Sequence, residues 1–314
     1  MDTTVDYSAL YDEQRDFLWG YGYRLTGSAA DAEDLVQDVF IRAMERPPAD
    51  TSRPWRPWLV RVVTNLVRDG ARRDRLGRKS YVGPWLPSPV ASDDPRIRLT
   101  ETDASGRYEM RESVSMAFLL ALEVLSSQQR AVLLLRDVYD YSVQETSEIL
   151  ELTPANVKTT LHRARQALEH YDAGRRPPTE ERRGVTRAVL EKLLESLGRQ
   201  DIDGIEALLA EGVQAISDGN GRFYAAKKPV FGRHRVASLY AKISPAPGES
   251  VALEIRELNG LPALIAERPE APEGYAQRFV LLLDVDDTGQ ILAIYNVLNS
   301  DKLHGLRVGR GATR

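Results

Sequence analysis

Residues 141–168 read YSVQETSEILELTPANVKTTLHRARQAL, and this stretch predicts a helix-turn-helix. Ser142 followed by Glu145 fits a capping box, which marks the start of a helix. Thr153 followed by Pro154 fits an N-cap with proline at the first helical position, so a second helix should begin after a short turn. The apolar residues of the two helices recur at helical spacing and should pack together: Val143, Ile149, Leu150, Val157, Leu161, Ala164 and Leu168.

The polar face of the second helix carries side chains suited to DNA. Such groups can reach phosphates and base edges when the N-terminal half of a helix enters a major groove. The same face would also suit a solvated, ordinary helical hairpin, and this stretch alone leaves both interpretations open. The candidate contacts are Asn156, Lys158, Thr159, His162, Arg163 and Arg165.

Composition narrows the class of protein. The chain has 314 residues, enough for two or three domains, and 42% hydrophobic and 28% charged residues are ordinary for soluble domains. A formal net charge of −4 excludes a protein that coats DNA through bulk charge, although it permits a local basic patch. With no cysteine and four histidines, the sequence predicts no disulfide, no metal site and no cofactor. No apolar stretch approaches the roughly 20 residues of a membrane span and no signal peptide is evident, so we expect a soluble, cytoplasmic protein with no membrane partner.

Positive charge is concentrated in residues 53–79, which contain nine basic and two acidic side chains. Trp58 and Asn65 lie among the arginines, in a predicted helix from about residue 58 to 73. Basic groups attract phosphates, and aromatic and amide groups can hold the exposed bases of a single strand. A basic helix end on the surface, with tryptophans in the core, would account for the same pattern.

Residues 31–42 read DAEDLVQDVFIR and predict an acidic helix, with Ser28 nearby as a candidate cap. Such a face could hardly contact DNA. It would suit a protein partner, or it could be a solvated helix surface.

Taken together, these segments resemble the sigma-70 superfamily, specifically the compact extracytoplasmic function (ECF) group. Residues 31–43 look like region 2.2, which in that family docks on the clamp of the largest subunit of core RNA polymerase. The resemblance implies core RNA polymerase (clamp and flap) and promoter DNA as partners. The positions carried over for polymerase binding are Asp31, Asp34, Leu35, Gln37, Asp38, Phe40 and Arg42.

Two further segments look like the DNA-binding regions of the same family. Residues 58–69, with the arginines that follow, resemble regions 2.3 and 2.4, which recognise and open the −10 element. The helix-turn-helix resembles region 4.2, which reads the −35 element, and residues 125–130 resemble its region 4.1 lead-in. The implied −10 contacts are Trp58, Arg61, Asn65, Arg68, Arg72 and Arg73.

The last third of the chain predicts an α+β domain. Helical stretches are expected at about 185–198, 203–210 and 232–243. The turn sequences Asn259-Gly260 and Asp287-Thr-Gly289 predict hairpins between neighbouring strands. The strand candidates are 214–217, 223–226, 251–258, 263–267, 277–285 and 291–298.

This part resembles the SnoaL-like cone fold, which a small subgroup of ECF sigma factors carries as a fusion. Three signatures mark the subgroup, WLPEP, DGGGK and NPDKL, and the chain has WLPSP at 85–89, DGNGR at 218–222 and NSDKL at 299–303. Ser88, Asn220, Arg222 and Ser300 depart from the pattern.

The resemblance implies that the fused domain replaces a separate anti-sigma protein. The resemblance implies that the 218–222 loop lies near the Trp85 segment and controls how the two DNA-binding lobes are held. Without the family context, Gly219 and Gly221 could simply form a hairpin turn. The implied regulatory residues are Trp85, Leu86, Pro87, Asp218, Gly219, Gly221, Arg222, Asp301, Lys302 and Leu303.

Cone folds often enclose a pocket, which could be lined here by Asp218, Tyr224, His234, Tyr240 and Tyr295. No acid–base pair stands out, so we predict no catalytic residue and no enzyme, and small-molecule sensing and ligand-free regulation both stay open. A competing hypothesis is a one-component regulator that binds DNA without polymerase.

The predicted fold class is therefore multidomain: two all-α sigma domains (regions 2 and 4, the latter with the helix-turn-helix), followed by an α+β SnoaL-like cone domain. Region 2 is assigned to residues 1–80, an acidic linker to 81–110 and region 4 to 111–172. A second linker at 173–182 precedes the cone domain and its tail at 183–314.

Overall fold

The computed structural model describes residues 5–77, 81–97, 106–245 and 249–309, with the side chains of 71–77 left undescribed. The described chain divides into two compact units. The N-terminal unit contains residues up to 77 and from 93 to 177, and the C-terminal unit contains residues 81–92 and from 178 onward. The predicted 81–110 linker is thus divided, and its first part belongs to the unit at the other end of the chain.

Three long helices open the N-terminal unit: α1 (Tyr7–Thr26), α2 (Ala29–Glu45) and α3 (Trp55–Gly77). Asp6 caps α1 by accepting hydrogen bonds from two backbone N–H groups, and Gly27, at φ 70°, ends it in the left-handed region. Ser28 accepts from the N–H of Asp31, so the predicted cap of α2 is confirmed. α3 extends beyond both predicted ends.

The second half of this unit is built from short helices. These are 3-10 turns at Glu112–Val114 and Leu122–Val124, α4 (Met116–Ala121), α5 (Ser127–Leu133), a π-helical turn at Leu134–Val138, α6 (Val143–Leu150), α7 (Pro154–Ala167) and α8 (Glu169–Ala173). Ser142 and Glu145 form the predicted capping box, and Thr153 caps α7 with proline at its first position. Val157 and Leu161 pack against Val132 of α5, which confirms the helix-turn-helix.

Two buried arginines connect the halves of the N-terminal unit. Arg24 has no exposed surface, and its guanidinium donates to Ser113 Oγ at 2.7 Å and to the carbonyls of Gly20, Ile97 and Met110. Arg130 donates to the carbonyl of Leu25 at 2.7 Å. Because a buried guanidinium is stable only when its donors are satisfied, these bonds hold α1 against the segment that leads into region 4.

The C-terminal unit packs helices on one sheet. Its elements are α9 (Glu180–Gly198), α10 (Ile202–Leu208), β1 (Leu209–Asp218), β2 (Val230–Phe231), α11 (Arg233–Ile243), β3 (Ala252–Leu258), β4 (Leu261–Glu267), β5 (Arg278–Val285), β6 (Ile291–Val297) and a 3-10 turn at Ser300–Lys302. Within the described residues the strand order is β2-β1-β6-β5-β4-β3, and β1 and β6 form the parallel pair. Apolar side chains of α9, α10 and α11 meet one face of the sheet and form the core.

The predicted hairpin at Asn259-Gly260 is confirmed, with φ values of 53° and 86° that suit a tight two-residue turn. The predicted strand at 223–226 is wrong. Asn220 and Gly221, at φ 44° and 69°, turn the chain after β1, and Tyr224 then donates its N–H to the carbonyl of Gly274 outside any ladder. The edge strand is instead β2, which pairs with residues 214–215 of β1.

No helix in the described ranges is long and apolar enough to cross a membrane. Over the same residues, no group of histidine, aspartate and glutamate side chains could hold a metal ion.

Candidate functional site

The carboxylate of Asp218 lies at the end of β1 with no exposed surface. Three donors surround it: the hydroxyl of Tyr81, the N–H of Leu86 at 2.9 Å and the ammonium of Lys302 at 2.7 Å. Asn299 completes the arrangement by donating to the Tyr81 hydroxyl oxygen at 3.1 Å. We call these five residues the Asp218 anchor, and it brings the three sequence signatures together.

Lys302 connects the anchor to the tryptophan of the first signature. Its ammonium lies 4.2 Å from the centroid of the Trp85 ring and also donates to the carbonyl of Leu86. A cation over an aromatic face is attracted by the ring's quadrupole, most strongly where water is excluded. Lys302 therefore contacts a carboxylate, a carbonyl and an aromatic ring at once.

Local strand geometry explains why residues so distant in sequence meet. The parallel pairing of β1 with β6 places Asp218 opposite Val297, so both strands end at the same edge. The carbonyl of Asp218 then accepts from the N–H groups of Leu298 and Asn299, at 2.8 and 2.9 Å. Burial raises the pKa of Tyr81, and the neighbouring Asp218 carboxylate raises it further, so the tyrosine stays protonated and donates.

The turn after Asp218 also contacts segment 81–92. A Cβ built on Gly221 would lie 2.9 Å from Cβ of Val82, so glycine permits both the positive φ and the close approach. Arg222 forms a two-pronged ion pair with Asp301, with both N–O distances 2.8 Å. The turn thus contacts both the start of segment 81–92 and the third signature segment.

The rest of segment 81–92 follows the β3–β4 hairpin. Val90 donates its N–H to Asn259 Oδ1 at 3.0 Å and accepts from the Asn259 N–H at 2.9 Å. Ser92 donates its N–H to the carbonyl of Glu257 at 2.9 Å, and residues 86–90 are buried. The segment is therefore part of the C-terminal unit's packing along most of its length.

In the N-terminal unit, α2 presents an acidic surface that also carries apolar side chains. Ile41 and Met44 are 47% and 57% exposed beside it. Large apolar side chains rimmed by charge are typical of protein-binding surfaces. The exposed polar residues are Asp31, Asp34, Gln37, Asp38 and Arg42, whereas Leu35 is half-buried.

The basic helix α3 is partly covered by the helix-turn-helix. Arg61 donates to the carbonyls of Ile149 at 2.9 Å and Glu148 at 2.8 Å, and to the carboxylate of Glu151 at 2.7 Å. These carbonyls end α6, where a cation is favoured by the helix dipole. Trp58 and Asn65 are half-buried, and Arg68 is exposed.

On α7 the exposed face is the one predicted. Asn156, Lys158, Thr159, His162 and Arg163 are all exposed. Arg165 is half-buried instead and makes a two-pronged ion pair with buried Asp137, at 2.9 and 2.6 Å.

The C-terminal unit also encloses a cavity of about 1270 Å³ between α9, α11 and the sheet. Its walls include the apolar side chains Leu194, Leu197, Leu264, Phe279 and Leu281, together with Val82 and Gly83 of segment 81–92.

Comparison with known proteins gives matches to two segments of the N-terminal unit and to relatives that cover most of the chain. Residues 10–76 match the family described as Sigma-70 region 2, and residues 115–168 match Sigma-70, region 4. The ECF RNA polymerase sigma factor SigJ of Mycobacterium tuberculosis is 29% identical over 308 residues, covering 94% of this chain and 92% of SigJ. SigG, an ECF RNA polymerase sigma factor of the same species, is 32% identical over 283 residues, covering 82% of this chain and 72% of SigG.

The chain belongs to the ECF RNA polymerase sigma factors. The crystal structure of SigJ matches this sigma factor's fold with a TM-score of 0.68 at 24% identity, covering 96% of this chain and 100% of that one. The predicted fold class, helical sigma regions followed by an α+β domain, is confirmed. Sigma factors are transcription initiation factors and not enzymes, as expected here.

Some of the predicted contact residues are buried or already bonded within the N-terminal unit. Phe40 is buried in edge-to-face contact with Tyr11, so it supports α2 from within. Arg61 and Arg165 are engaged by partners in the N-terminal unit. The side chains of Arg72 and Arg73 lie outside the described residues.

The predicted pocket set is only partly correct. Tyr224 and Tyr240 line the cavity, but Asp218 belongs to the anchor, and neither His234 nor Tyr295 is among the lining residues. His234 pairs with Glu206 at 2.7 Å and has an exposed side chain, because it lies in the first turn of α11 on the solvent side. Pro87 and Leu303 are buried beside the anchor residues.

Sequence reasoning missed two members of the anchor, Tyr81 and the side chain of Asn299. Asn299 begins the third signature, which was a usable signal. Tyr81 precedes Trp85 by four residues and had no signal beyond that closeness. Ile41 and Met44 were also missed, although Ile41 lies within the acidic segment 31–42 and Met44 follows it by two residues.

Proposed function

We propose that this sigma factor binds core RNA polymerase through α2, opens the −10 element with α3 and reads the −35 element with α7, while its C-terminal unit controls initiation in cis. The observation that carries the regulatory part is the Asp218 anchor, which holds the start of the segment between the two DNA-binding regions. The sigma activity itself rests on the family.

The α2 surface is the proposed site for the clamp of the polymerase's largest subunit, and region 4 for the flap. Exposed Ile41 and Met44 would supply apolar contact, and the surrounding carboxylates would select a basic partner surface. Such a surface cannot be a DNA contact, because its charge repels phosphates.

The N-terminal unit supports a self-inhibited state. The −10 and −35 elements are about 25 base pairs apart, which is about 85 Å of B-DNA. Arg61, in the predicted −10 surface, is hydrogen-bonded to the end of α6 in the −35-reading motif. Two regions in direct contact cannot reach both elements, so regions 2 and 4 must separate before the promoter is engaged.

The anchor would oppose that separation because it shortens the part of the linker that is free to extend between regions 2 and 4. Residues 81–92 could span about 40 Å if extended. Asp218, Asn259 and Glu257 hold residues 81–92 in the C-terminal unit. While they are held there, these residues cannot extend between regions 2 and 4. Release of the anchor would allow residues 81–92 to extend again.

The test is run-off transcription with purified core RNA polymerase on the gene's own upstream region. We expect promoter-specific transcripts, and a several-fold rise for Lys302→Met, which leaves the buried Asp218 carboxylate without its cation. Lys192→Met, at an exposed position of α9, is the matched control and should behave like the unmodified protein.

Two outcomes would contradict the proposal separately. Equal transcription by Lys302→Met and Lys192→Met would exclude cis control by the anchor. Absence of both core binding and initiation, with specific DNA binding retained, would instead favour the one-component regulator.

We also propose that the C-terminal cavity takes a small-molecule ligand. Its volume of about 1270 Å³ exceeds the range of about 300–1,000 Å³ that is typical of ligand sites, and most of its accessible lining is apolar.

A further inference from the structure

Residues 219–248, which connect β1 to β3 and include β2 and α11, are strongly basic. They contain six lysine and arginine residues and no aspartate or glutamate, in a chain whose acidic residues outnumber its basic ones. Three of the six, Arg222, Lys227 and Lys242, line the cavity of the C-terminal unit. An excess of one sign of charge around a cleft raises the local concentration of oppositely charged ligands.

Two of the four cations that line the cavity within the described ranges already have carboxylate partners. Arg222 forms the two-pronged pair with Asp301, and Arg268, which follows β4, is paired with Glu249. Their charges are neutralised within the C-terminal unit, so neither arginine requires an anionic ligand.

Lys227 and Lys242 supply the unpaired positive charge of the lining. Both are exposed, and neither forms an ion pair with a carboxylate in the part of the chain that the structure describes. Glu273 is the lining carboxylate that is likewise unpaired among the described residues, so two positive charges stand against one negative charge. A lysine can lay its methylene stem along an apolar wall and keep its ammonium in water at the opening. The lysines therefore favour a ligand with one negative charge.

The same cavity has large apolar side chains that are left exposed. Val82, Tyr224 and Tyr275 are 44%, 72% and 36% exposed, and all three line the cavity. The rings of Tyr224 and Tyr275 are in edge-to-face contact, with 5.4 Å between their centroids. Exposed apolar side chains grouped around a groove are typical of a ligand-binding site. Together with the leucine and phenylalanine side chains of the walls, they favour a ligand with a large apolar body.

Segment 81–92 contributes part of this lining. Val82 and Gly83 line the cavity together with Gly219 and Gly221 of the turn after β1. A ligand in contact with Val82 gains that contact only while the segment is docked. By linkage, the ligand stabilises the docked state by the corresponding difference in affinity.

We infer that the cavity binds an amphipathic anion, a molecule with an apolar body and one negatively charged head group, and that its binding strengthens the docking of segment 81–92. The body packs on the apolar walls and on Val82, and the head group is paired with Lys227 and Lys242. The inference rests on the proposed function for its consequence, which is repression of initiation by the ligand.

The site is tested on the full-length protein by displacement of the fluorescent probe dansylundecanoic acid. We expect decanoate to displace it at a concentration about threefold to tenfold lower than decanol, which has the same chain length without the charge. Both competitors are used at concentrations at which they are monomeric. The double variant Lys227→Met and Lys242→Met should lose most of this difference, with displacement by decanol unchanged.

The matched control is the double variant Lys192→Met and Lys228→Met, which removes the same charge at two exposed positions outside the lining. It should behave like the unmodified protein. If decanol were as effective as decanoate, or if the two double variants lost the difference equally, the anionic head group would be excluded.

A second pair of variants tests the apolar body. Leu197→Glu places a carboxylate in an apolar wall of the cavity and should weaken binding of the dansyl probe about tenfold. Ile202→Glu, the same change in charge at a 38% exposed position outside the lining, should not weaken it. Failure of the probe to bind the unmodified protein, or equal binding by Leu197→Glu, would overturn the site.

Coupling to the linker is read by hydrogen–deuterium exchange of residues 81–92 with and without decanoate. We expect slower exchange in the unmodified protein when decanoate is bound, and a smaller effect in Leu197→Glu at the same concentration. Unchanged exchange in a saturated, unmodified protein would overturn the coupling. None of these measurements uses polymerase, so a failure here is distinct from a failure of the cis control tested by Lys302→Met.

Discussion

Asp218 is a carboxylate with no exposed surface, and such a group is stable only where cations and donors replace its water. Lys302, Tyr81 and the N–H of Leu86 supply these interactions, and two of the three donors come from segment 81–92. Undocking that segment would therefore leave Asp218 short of partners. A buried ion pair of this kind adds little net stability but specifies one arrangement of the chain, which suits a regulatory contact.

Gly221 offers a test at the same scale. Gly221→Ala should weaken docking of the segment, because the new Cβ would lie 2.9 Å from Cβ of Val82, in addition to the strain of a positive φ. We expect a loss of about 2 kcal/mol in the unfolding free energy of the C-terminal unit. Chemical denaturation and limited proteolysis of residues 81–92 would measure it.

Gly289→Ala is the matched control, because Gly289 has φ 83° and a Cβ added there would meet its nearest neighbour only at 3.7 Å. It should show the strain of the positive φ without faster cleavage of the segment. Equal cleavage of the two variants would contradict the role given to the Val82 contact.

At the scale of the element, α7 carries one arginine that is exposed and another that is engaged within the N-terminal unit. Arg163 is exposed, whereas Arg165 pairs with Asp137, whose side chain is almost fully buried. In the reconstituted holoenzyme, Arg163→Ala should weaken binding to −35 DNA by about 1–3 kcal/mol with unfolding unchanged.

Arg165→Ala should instead lower stability by about 1 kcal/mol, a value discounted for the partial exposure of the arginine. Fluorescence anisotropy with promoter DNA and thermal denaturation distinguish the two effects. A pure DNA-binding defect in Arg165→Ala would show that the Asp137 pair opens in the complex.

The capping box of α6 makes a prediction about pH. Hydrogen bonds from the side chain and the N–H of Ser142 lower the pKa of Glu145 below its ordinary value. Because the folded-state pKa is lowered, this contribution to helix stability is present above the ordinary pKa and is lost as pH falls through the folded value. NMR titration of the Glu145 carboxyl carbon should therefore give a low midpoint.

Ser142→Ala should move that midpoint upward, because the hydroxyl donor is removed, and should cost about 1 kcal/mol of stability. An unchanged midpoint in this variant would mean that the serine is not the cause of the shift.

At the scale of the whole molecule, the polypeptide passes from the N-terminal unit into the C-terminal unit and back before it enters the C-terminal unit a second time. Residues 81–92 leave the N-terminal unit after α3 and are built into the C-terminal unit before the chain returns at residue 93. The connection between the two halves of the N-terminal unit thereby passes through the C-terminal unit, and the proposed control of initiation depends on this path.

The absence of native cysteine allows a direct test of the contact between regions 2 and 4. Replacing Arg61 and Glu151 by cysteine and joining them with a short bismaleimide should abolish promoter-specific transcription, because the regions can no longer separate. The same double variant left unjoined should still initiate, apart from any direct loss due to Arg61.

A control pair at Glu195 and Arg199, neighbours on α9, should tolerate the same reagent. Full transcription by the protein joined between positions 61 and 151 would refute the self-inhibited state.

Local chemistry made much of this protein predictable from its sequence. Caps such as Ser28, Ser142 and Thr153, and the turn at Asn259-Gly260, act through bonds to residues nearby, so neighbouring residue types suffice to place them. The apolar stripe of α7 follows from helical spacing. The family resemblance supplied the three signatures and the expectation that the 218–222 loop lies near the Trp85 segment, but not that residues 299–303 join them.

Only the tertiary structure showed which residues form contacts with partners that are distant in the sequence. Tyr81 enters the anchor through Asp218, 137 positions away, and Arg61 turns to α6 across 88 residues, so neither role is written in a local pattern. The 223–226 segment has strand-forming residues, but the turn at Asn220 and Gly221 takes it off the sheet. Burial and pairing between distant segments determine these features, because the free energy of a polar group depends on what surrounds it and not on its neighbours in sequence.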